Sequence, residues 1–148
     1  MKIFVAASYS AHVDYETGNV HPEYKEWLEA TLSTVESLGH TVFCALRADG
    51  YKINNDDPAS AFRLDMQHIK ESDTLLALLA HNVSAGVQTE IGVALALGRT
   101  VFLAHEPDQP LTYFNAAMVQ GGAAQEIVLP AGREDIQQTL ANHIGIVA

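Results

Sequence analysis

The feature that most constrains the fold is the alternation of short apolar runs with segments of helical period. The apolar runs are Ile3–Ala7, Thr41–Leu46, Thr74–Ala80, Thr100–Ala104 and Glu126–Leu129. The segments with helical period are Glu23–Leu38, Ser60–Glu71, Gly86–Leu97, Leu111–Val119 and Glu134–Ile144, and the second is expected to bury Phe62, Met66 and Ile69. Because the apolar runs lack the period of two that marks a half-exposed strand, both faces of the sheet should be covered. The alternation therefore predicts an α/β fold.

The expected architecture is a single-domain, flavodoxin-like (Rossmann-like) sandwich spanning residues 1–148. A chain of 148 residues with 48% apolar composition is within the usual size of one domain and can form one core. The five apolar runs predict a five-stranded parallel sheet with helices on both faces, and we choose the strand order 2-1-3-4-5.

Charge and cysteine content narrow the partners and the compartment. A net charge of −10 argues against sequence-independent binding to DNA or RNA, which depends on Lys and Arg. The single Cys44 cannot form an internal disulfide, so a reducing compartment is expected. Because there is neither a signal-peptide pattern nor a run of 18 apolar residues, we expect a cytoplasmic protein that does not enter membranes.

Polar residues follow the predicted strands at the places where a parallel sheet gathers its loops. In such a sheet the loops after the strands meet at one edge, where α/β proteins bind ligands. The residues expected at that edge are Ser8, Tyr9, Asp49, Tyr51, Ser84 and Gly86.

Two carboxylates are expected beside the same edge. Glu90 is predicted in the first turn of the helix that begins near Gly86, and Asp65 lies in the helix before the third strand. An acid in a first turn can be purely structural, since the helix macrodipole favours it by about 0.3–1 kcal/mol. A pair of carboxylates with nearby hydroxyl donors is also the set of groups that cleaves a glycosidic bond.

Other chemistries have less support in the sequence. The seven histidines show no HExxH spacing, and Asp65-x-x-His68 alone is weak, so we expect no metal and no cofactor. The GxGxxG and GxxxxGK[ST] phosphate motifs are absent, as is the GxSxG motif of serine hydrolases. Ser84 is explained more simply as a helix cap or a phosphate donor.

The block Asp65–Ala94 resembles a known enzyme family. Ser72-Asp73 before an apolar strand, followed by the pattern S-x-G-V-x-x-E-[IL]-G-x-A from Ser84 to Ala94, is similar to the nucleoside 2-deoxyribosyltransferases. It is also similar to their relatives, the 2'-deoxynucleoside 5'-monophosphate N-hydrolases. The resemblance continues through Gly98–Val101 and Ala117–Gly121, and so covers most of the chain.

The resemblance implies roles for individual residues. Glu90 would be the nucleophile that attacks C1' of the sugar, and Asp65 would help to protonate the departing base or orient the site. Ser84 and Gly86 would contact the 5' end of the sugar or its phosphate. The resemblance further implies a homodimer or larger homo-oligomer, with Asn115 and Met118 near a partner's pocket.

The sequence also departs from the family pattern. Phe4 stands where the first strand commonly carries a catalytic tyrosine, and Tyr9 is a possible substitute. The loop from Ser8 to Asp14 contains no Arg or Lys, whereas the hydrolases have a glycine- and arginine-rich loop there. The substrate is therefore expected to be a nucleoside, or a nucleotide whose phosphate is held by hydroxyls and backbone N–H groups.

These observations indicate an enzyme that cleaves the N-glycosidic bond of a nucleoside or nucleoside 5'-monophosphate and transfers the sugar to water or another base. One alternative is a phosphoribohydrolase like the cytokinin-activating proteins, whose P-G-G-x-G-T-x-x-E signature is partly matched by Ala85–Glu90. Another is a non-catalytic nucleotide sensor, which the absence of a tyrosine at Phe4 favours.

Overall fold

The sheet is parallel throughout and has the predicted strand order. The computed structural model describes residues 1–53, 57–79, 84–130 and 133–145. The strands are β1 (Lys2–Ala7), β2 (Thr41–Phe43), β3 (Thr74–Leu78), β4 (Thr100–His105) and β5 (Gln125–Val128). They pair in the order β2-β1-β3-β4-β5, which confirms the predicted topology.

Helices cover both faces of this sheet. They are α1 (Pro22–Ser37), α2 (Ala45–Ala48), α3 (Pro58–Glu71), α4 (Ala85–Ala96), α5 (Tyr113–Gln120) and α6 (Arg133–Ile144). Side chains of α1 and α6 share one apolar cluster with one face of the sheet, and side chains of α3, α4 and α5 share a second cluster with the other face. No helix in the described ranges is long and apolar enough to span a bilayer.

The register brings three strand ends to one edge of the sheet. Ala7 at the end of β1 pairs with Leu78 at the end of β3, and Leu78 pairs with Ala104 in β4. The chain segments that follow these strands therefore leave the sheet at the same level. This edge is the expected place for a ligand in a parallel α/β sheet.

Two sequence-based expectations are wrong. The second strand does not run to Leu46, because it ends at Phe43 and Cys44 begins the short helix α2, whose Ala48 N–H donates to the Cys44 carbonyl at 3.0 Å. Phe62 is not buried but 56% exposed, although Met66 and Ile69 on the same face of α3 do contact the core. A helical period identifies the inward face, but it does not show how far along the helix the neighbouring elements extend.

Candidate active site

The N-terminus of α4 forms one side of the site. The Ser84 hydroxyl accepts a hydrogen bond from the Val87 N–H at 3.2 Å, so its predicted role as a helix cap is confirmed. Because the helix begins at Ala85, Glu90 is its sixth residue and not part of its first turn, contrary to our expectation. The macrodipole acts mainly within the first turn, which weakens the purely structural explanation of Glu90.

Glu90 is a mostly buried carboxylate for which the described part of the chain supplies no compensating cation. Its neighbours on α4, Val87, Ile91 and Ala94, are buried in the apolar cluster beneath the helix. Burial, and secondly the nearby charge of Asp65, raise the pKa of Glu90 from 4.5 to about 8. Within the described ranges no hydrogen bond or ion pair reaches this carboxylate.

Asp65 on α3 is the second carboxylate of the pair. Burial, and secondly the charge of Asp49, raise its pKa from 3.8 to about 6. Between these two pKa values, near neutral pH, the Asp65–Glu90 pair holds a single proton and a single negative charge. The structure thus brings together the two carboxylates that the sequence singled out.

Aromatic rings pack against one another next to helix α3. The His68 ring, one turn after Asp65 on α3, stacks on Phe43 with 3.5 Å between the ring centroids and an interplanar angle of 10°. Phe43 in turn contacts Phe4, with 5.6 Å between the centroids. Phe4 is fully buried in the cluster shared with α3 and α4, so no hydroxyl is present where the family resemblance places a tyrosine.

The other residues expected at the edge differ in exposure. Ser8 is buried directly after β1, with its hydroxyl oxygen 3.5 Å from that of Ser10, whereas the Tyr9 side chain is 42% exposed. Gly86 lies in the exposed first turn of α4, where, among the described residues, an added Cβ would meet the Ser84 hydroxyl oxygen at 3.7 Å. Packing against the described residues therefore does not require glycine at this position.

Asn115 and Met118, expected near a partner's pocket, turn inward in the single chain. Asn115 is fully buried, and neither polar atom of its side chain has a hydrogen-bond partner in the part of the chain that the structure describes. Met118 packs against the cluster of α3 and α4. By contrast, Tyr113 and Phe114 at the start of α5 are 91% and 69% exposed.

A polar network that the sequence analysis missed holds the chain segment after β2. The Arg47 guanidinium donates to the Glu29 carboxylate at 3.1 and 2.9 Å and to Glu36 at 2.6 Å, and the Tyr51 hydroxyl also donates to Glu29. Although burial acts against it, these contacts lower the pKa of Glu29. No local sequence pattern predicts this network, because Arg47 and Glu29 lie 18 residues apart on different helices.

The same segment contains an unusual backbone conformation. Gly50 and Tyr51 both have left-handed values of φ, +66° and +61°. For a residue with a side chain this conformation costs about 1–2 kcal/mol, so Tyr51 must be held by its surroundings. Its hydrogen bond to Glu29 and the Lys25 ammonium 5.0 Å from its ring centroid are two such contacts.

A cavity lies away from the carboxylates. A groove of about 590 Å³ runs between α1 and α6, on the other face of the sheet, and Trp27, Glu26 and Gln137 are among its lining residues. As for metals, the described residues contain no grouping of three or more His, Cys, Asp or Glu side chains that could hold an ion. Among the described residues, the site on α3 and α4 combines perturbed carboxylates with the edge at which parallel α/β sheets commonly bind ligands.

Comparison with known proteins agrees with this fold. The sequence profile of the nucleoside 2-deoxyribosyltransferase family matches residues 17–138. The chain therefore belongs to the nucleoside 2-deoxyribosyltransferase family. No match was found among the curated proteins.

Solved structures share the fold at low sequence identity. The CMP N-glycosidase of Clostridium botulinum is similar with a TM-score of 0.69 and 22% identity, over 97% of this chain and 100% of that chain. The 2-deoxyribosyltransferase of Bacillus psychrosaccharolyticus is similar with a TM-score of 0.66 and 18% identity, over 93% of this chain and 90% of that chain. At these identities the likeness establishes the fold and leaves the substrate open.

Proposed function

We propose that this protein cleaves the N-glycosidic bond of a nucleoside or nucleoside 5'-monophosphate, with Glu90 as the nucleophile and Asp65 as the acid. The observation that carries the proposal is the mostly buried carboxylate pair, which holds one proton near neutral pH. Membership of the nucleoside 2-deoxyribosyltransferase family supports it. Activities named for the similar structures, CMP N-glycosidase and 2-deoxyribosyltransferase, belong to the same reaction class.

One proton and one negative charge are what the first half of the reaction needs. A Glu90 carboxylate oxygen forms a bond to C1' of the sugar while the bond from C1' to the base nitrogen breaks. The proton of the pair rests mainly on Glu90, whose pKa is the higher of the two. It passes to Asp65 as Glu90 attacks, and from Asp65 to the departing base, which leaves neutral. The products of this step are a glycosyl ester on Glu90, an ionised Asp65 and the free base.

The second half reverses the roles. Asp65, now ionised, removes a proton from a water molecule or an acceptor base, which attacks C1' and releases Glu90. The pair regains its single proton, so the cycle is balanced. Water as the acceptor gives a hydrolase, and a base gives a transferase.

Residues around the pair would position the sugar. We place the 5' end against Ser84 and the backbone of Gly86, because a free helix N-terminus offers N–H groups to oxygen atoms and Gly86 lets a ligand approach. Ser8 and Tyr9, which follow β1 at the same edge, would line the other side. A buried free Cys44 is consistent with an enzyme that works in the cytoplasm.

A second copy of the chain is the partner we propose. Tyr113 and Phe114 expose two large aromatic side chains next to each other, and such residues are enriched at protein interfaces. Docking of a second copy there would place the buried Asn115 and Met118 just behind the interface. Light scattering would show a dimer or larger assembly, and replacing both aromatic residues with serine would shift it to the monomer.

The alternative we retain is a nucleotide sensor that binds without cleaving. The observation in its favour is Phe4, whose ring is buried where the family resemblance places a catalytic tyrosine. The phosphoribohydrolase alternative differs in the group at the 5' end, since its substrate must carry a phosphate.

The deciding experiment is chromatographic detection of free base after incubation with a panel of nucleosides and 5'-monophosphates, in ribo and 2'-deoxy forms. Each substrate is tested with and without a second base, beside Glu90→Ala. We expect base release that disappears in the variant. Binding by calorimetry without any release would refute the enzyme and leave the sensor, and release from ribonucleoside monophosphates alone would favour the phosphoribohydrolase.

A further inference from the structure

The groove between α1 and α6 is a cavity that the proposed reaction does not use. Its volume of about 590 Å³ is within the usual range of sites for small molecules. A smaller cavity of about 340 Å³ shares Glu26, Trp27 and Ile136 with it, and Glu106, just after β4, is among its other lining residues. The two cavities therefore adjoin beside Trp27 and offer room for a small molecule.

Trp27 is an aromatic wall of this groove, and stacking holds its ring in place. The indole stacks on the Tyr24 ring with 5.6 Å between the centroids and an interplanar angle of 21°. Tyr24 is buried and stacks in turn on the His12 ring, with 3.8 Å between the centroids. An indole is the best aromatic partner for a cation, which binds within about 6 Å of the ring centroid. Trp27 therefore offers a cation a ring that is already ordered.

The charged side chains among the described lining residues of the two cavities are all carboxylates. They are Glu23, Glu26, Glu29 and Glu106. The Glu29 carboxylate is neutralised by its ion pair with Arg47, whereas no cation among the described side chains pairs with the other three. These three negative charges attract a cation and repel anions such as phosphate.

The polar groups of the groove suit an organic cation better than a metal ion. The Thr31 hydroxyl donates to the Trp27 carbonyl at 3.0 Å, and the Thr34 hydroxyl also donates within its own helix, so these hydrogens are not available to a ligand. Within the described ranges, no three His, Cys, Asp or Glu side chains are grouped so that they could hold a metal ion. Carboxylates spread around an apolar wall fit a molecule with a positive group and an apolar body.

We propose that the groove between α1 and α6 binds a small organic cation, whose ammonium group lies beside Trp27 and Glu26 and whose apolar chain packs on Ala30 and Ile136. A second copy of the chain fits the groove less well, because its net charge of −10 would be repelled by the same carboxylates. The groove lies on the face of the sheet opposite to α3 and α4. The inference therefore does not depend on the proposed function.

The test uses the intrinsic fluorescence of Trp27, the only tryptophan in the chain, together with calorimetry. Hexamethylenediamine, an aliphatic dication, should bind saturably and change the fluorescence. Hexanediol has the same carbon chain without the charges and should not bind at the same concentrations. Added salt should weaken diamine binding, since it screens exposed charges. No saturable binding of the diamine at millimolar concentration by either method, or equal affinity for hexanediol, would overturn the proposal.

Matched glutamine variants locate the binding in the groove. Glu26→Gln should weaken diamine binding about twofold to fivefold, the usual worth of one exposed charge pair. Glu16→Gln makes the same chemical change at an exposed glutamate in the segment between β1 and α1, away from the groove, and should leave the affinity unchanged. An unchanged affinity in Glu26→Gln, or equal losses in both variants, would refute the site.

Replacement of Trp27 tests the aromatic contact by calorimetry. Trp27→Phe and Trp27→Leu both keep an apolar wall, but the phenyl ring attracts a cation less than indole does and the leucine has no ring. Affinity for the diamine should therefore fall in the order wild type, Trp27→Phe, Trp27→Leu, by about twofold to fivefold in all. Urea denaturation would show that the variants are folded. Equal affinity in all three folded proteins would overturn the placement of the cation beside Trp27.

Discussion

Glu29 and Glu90 are glutamates on helices that flank the same sheet, yet the surroundings of Glu29 favour its ionised form and those of Glu90 disfavour it. Glu29 receives two hydrogen bonds from Arg47 and one from Tyr51, and its pKa is lowered. Glu90 faces apolar side chains and another carboxylate, and its pKa is raised to about 8. Burial opposes ionisation at both positions, so the supply of donors and cations decides the outcome.

The difference separates a structural glutamate from one that can do chemistry. The hydrogen-bond donors of the Glu29 network hold the chain segment after β2 against α1. Among the described residues no donor or cation stabilises the charge of Glu90, so its pKa is raised and it can hold the proton that the pair keeps near neutral pH. Perturbed carboxylates in such a setting are frequent at active sites.

The largest expected effect is on base release by matched glutamine variants. Glu90→Gln removes the nucleophile and should lower kcat by at least about 10³-fold, since a side-chain amide does not form the glycosyl ester. Glu29→Gln makes the same chemical change in the structural network and should retain most of the activity. Activity would be measured by chromatography of the free base and folding by circular dichroism. Equal losses of activity in both variants would show that Glu90 matters for stability and not for catalysis.

The second largest effect is expected on replacing Asp65, the proposed proton donor. Asp65→Asn should lower kcat about 10²–10⁴-fold, the usual contribution of a proton-transferring group. The residual rate should rise with pH as Glu90 ionises, because no proton of the pair remains to be lost, and Glu90 should titrate at lower pH than in wild type because Asp65 no longer raises its pKa. Substrates with bases that leave without protonation should lose less activity. An unchanged rate on an ordinary nucleoside would rule out Asp65 as the acid.

A third, smaller effect is on the free energy of unfolding, and its sign is opposite for substitutions of Glu90 and of Glu29. The folded-state pKa of Glu90 lies above its unfolded value of 4.5, so the folded state binds this proton more tightly than the unfolded state does. The free energy of unfolding therefore falls as pH rises from about 4.5 to about 8. At pH 8.5 Glu90→Gln should therefore raise the free energy of unfolding, by on the order of a few kcal/mol. Urea denaturation at pH 5 and pH 8.5 would measure this gain, which should nearly vanish at the lower pH.

Glu29→Gln should instead lower the free energy of unfolding at neutral and high pH. Because the pKa of Glu29 is lowered, its contribution is present above the unfolded value of 4.5 and disappears as pH falls through the folded value. With 37% of the Glu29 side chain exposed, we expect the variant to lose only about 1 kcal/mol at neutral pH. Stabilisation of this variant at high pH would contradict the assignment of Glu29 to the structural network.

The smallest expected effect is at the cap of α4. Ser84→Ala removes the hydroxyl that accepts from Val87 and should cost about 1 kcal/mol of stability. If Ser84 also contacts the 5' end of the substrate, KM should rise as well, while Ser84→Thr should keep both properties. Thr112→Ala is the matched control, because it removes the corresponding cap of α5, and it should lower stability without the change in KM.

The sequence predicted the strands and the position of Glu90 after the third strand from local patterns, and it singled out Asp65 through the family resemblance. Apolar runs identify strands, and the junction from Ser84 to Glu90 follows a strand in the chain. The short helix α2 was missed, since Ala45 and Leu46 are apolar in a strand or a helix alike. The hydrogen bonds of Arg47 to Glu29 join residues far apart in sequence, and only the folded chain brings them together.

The most direct test of the account is a carboxyl ¹³C NMR titration of Glu90 and Asp65 in the unliganded wild-type protein. The account predicts that Glu90 titrates near pH 8 and Asp65 near pH 6, so that one proton remains on the pair between them. Titration of both groups below pH 5, near their ordinary values, would contradict it, because the pair would then hold no proton to give to a departing base.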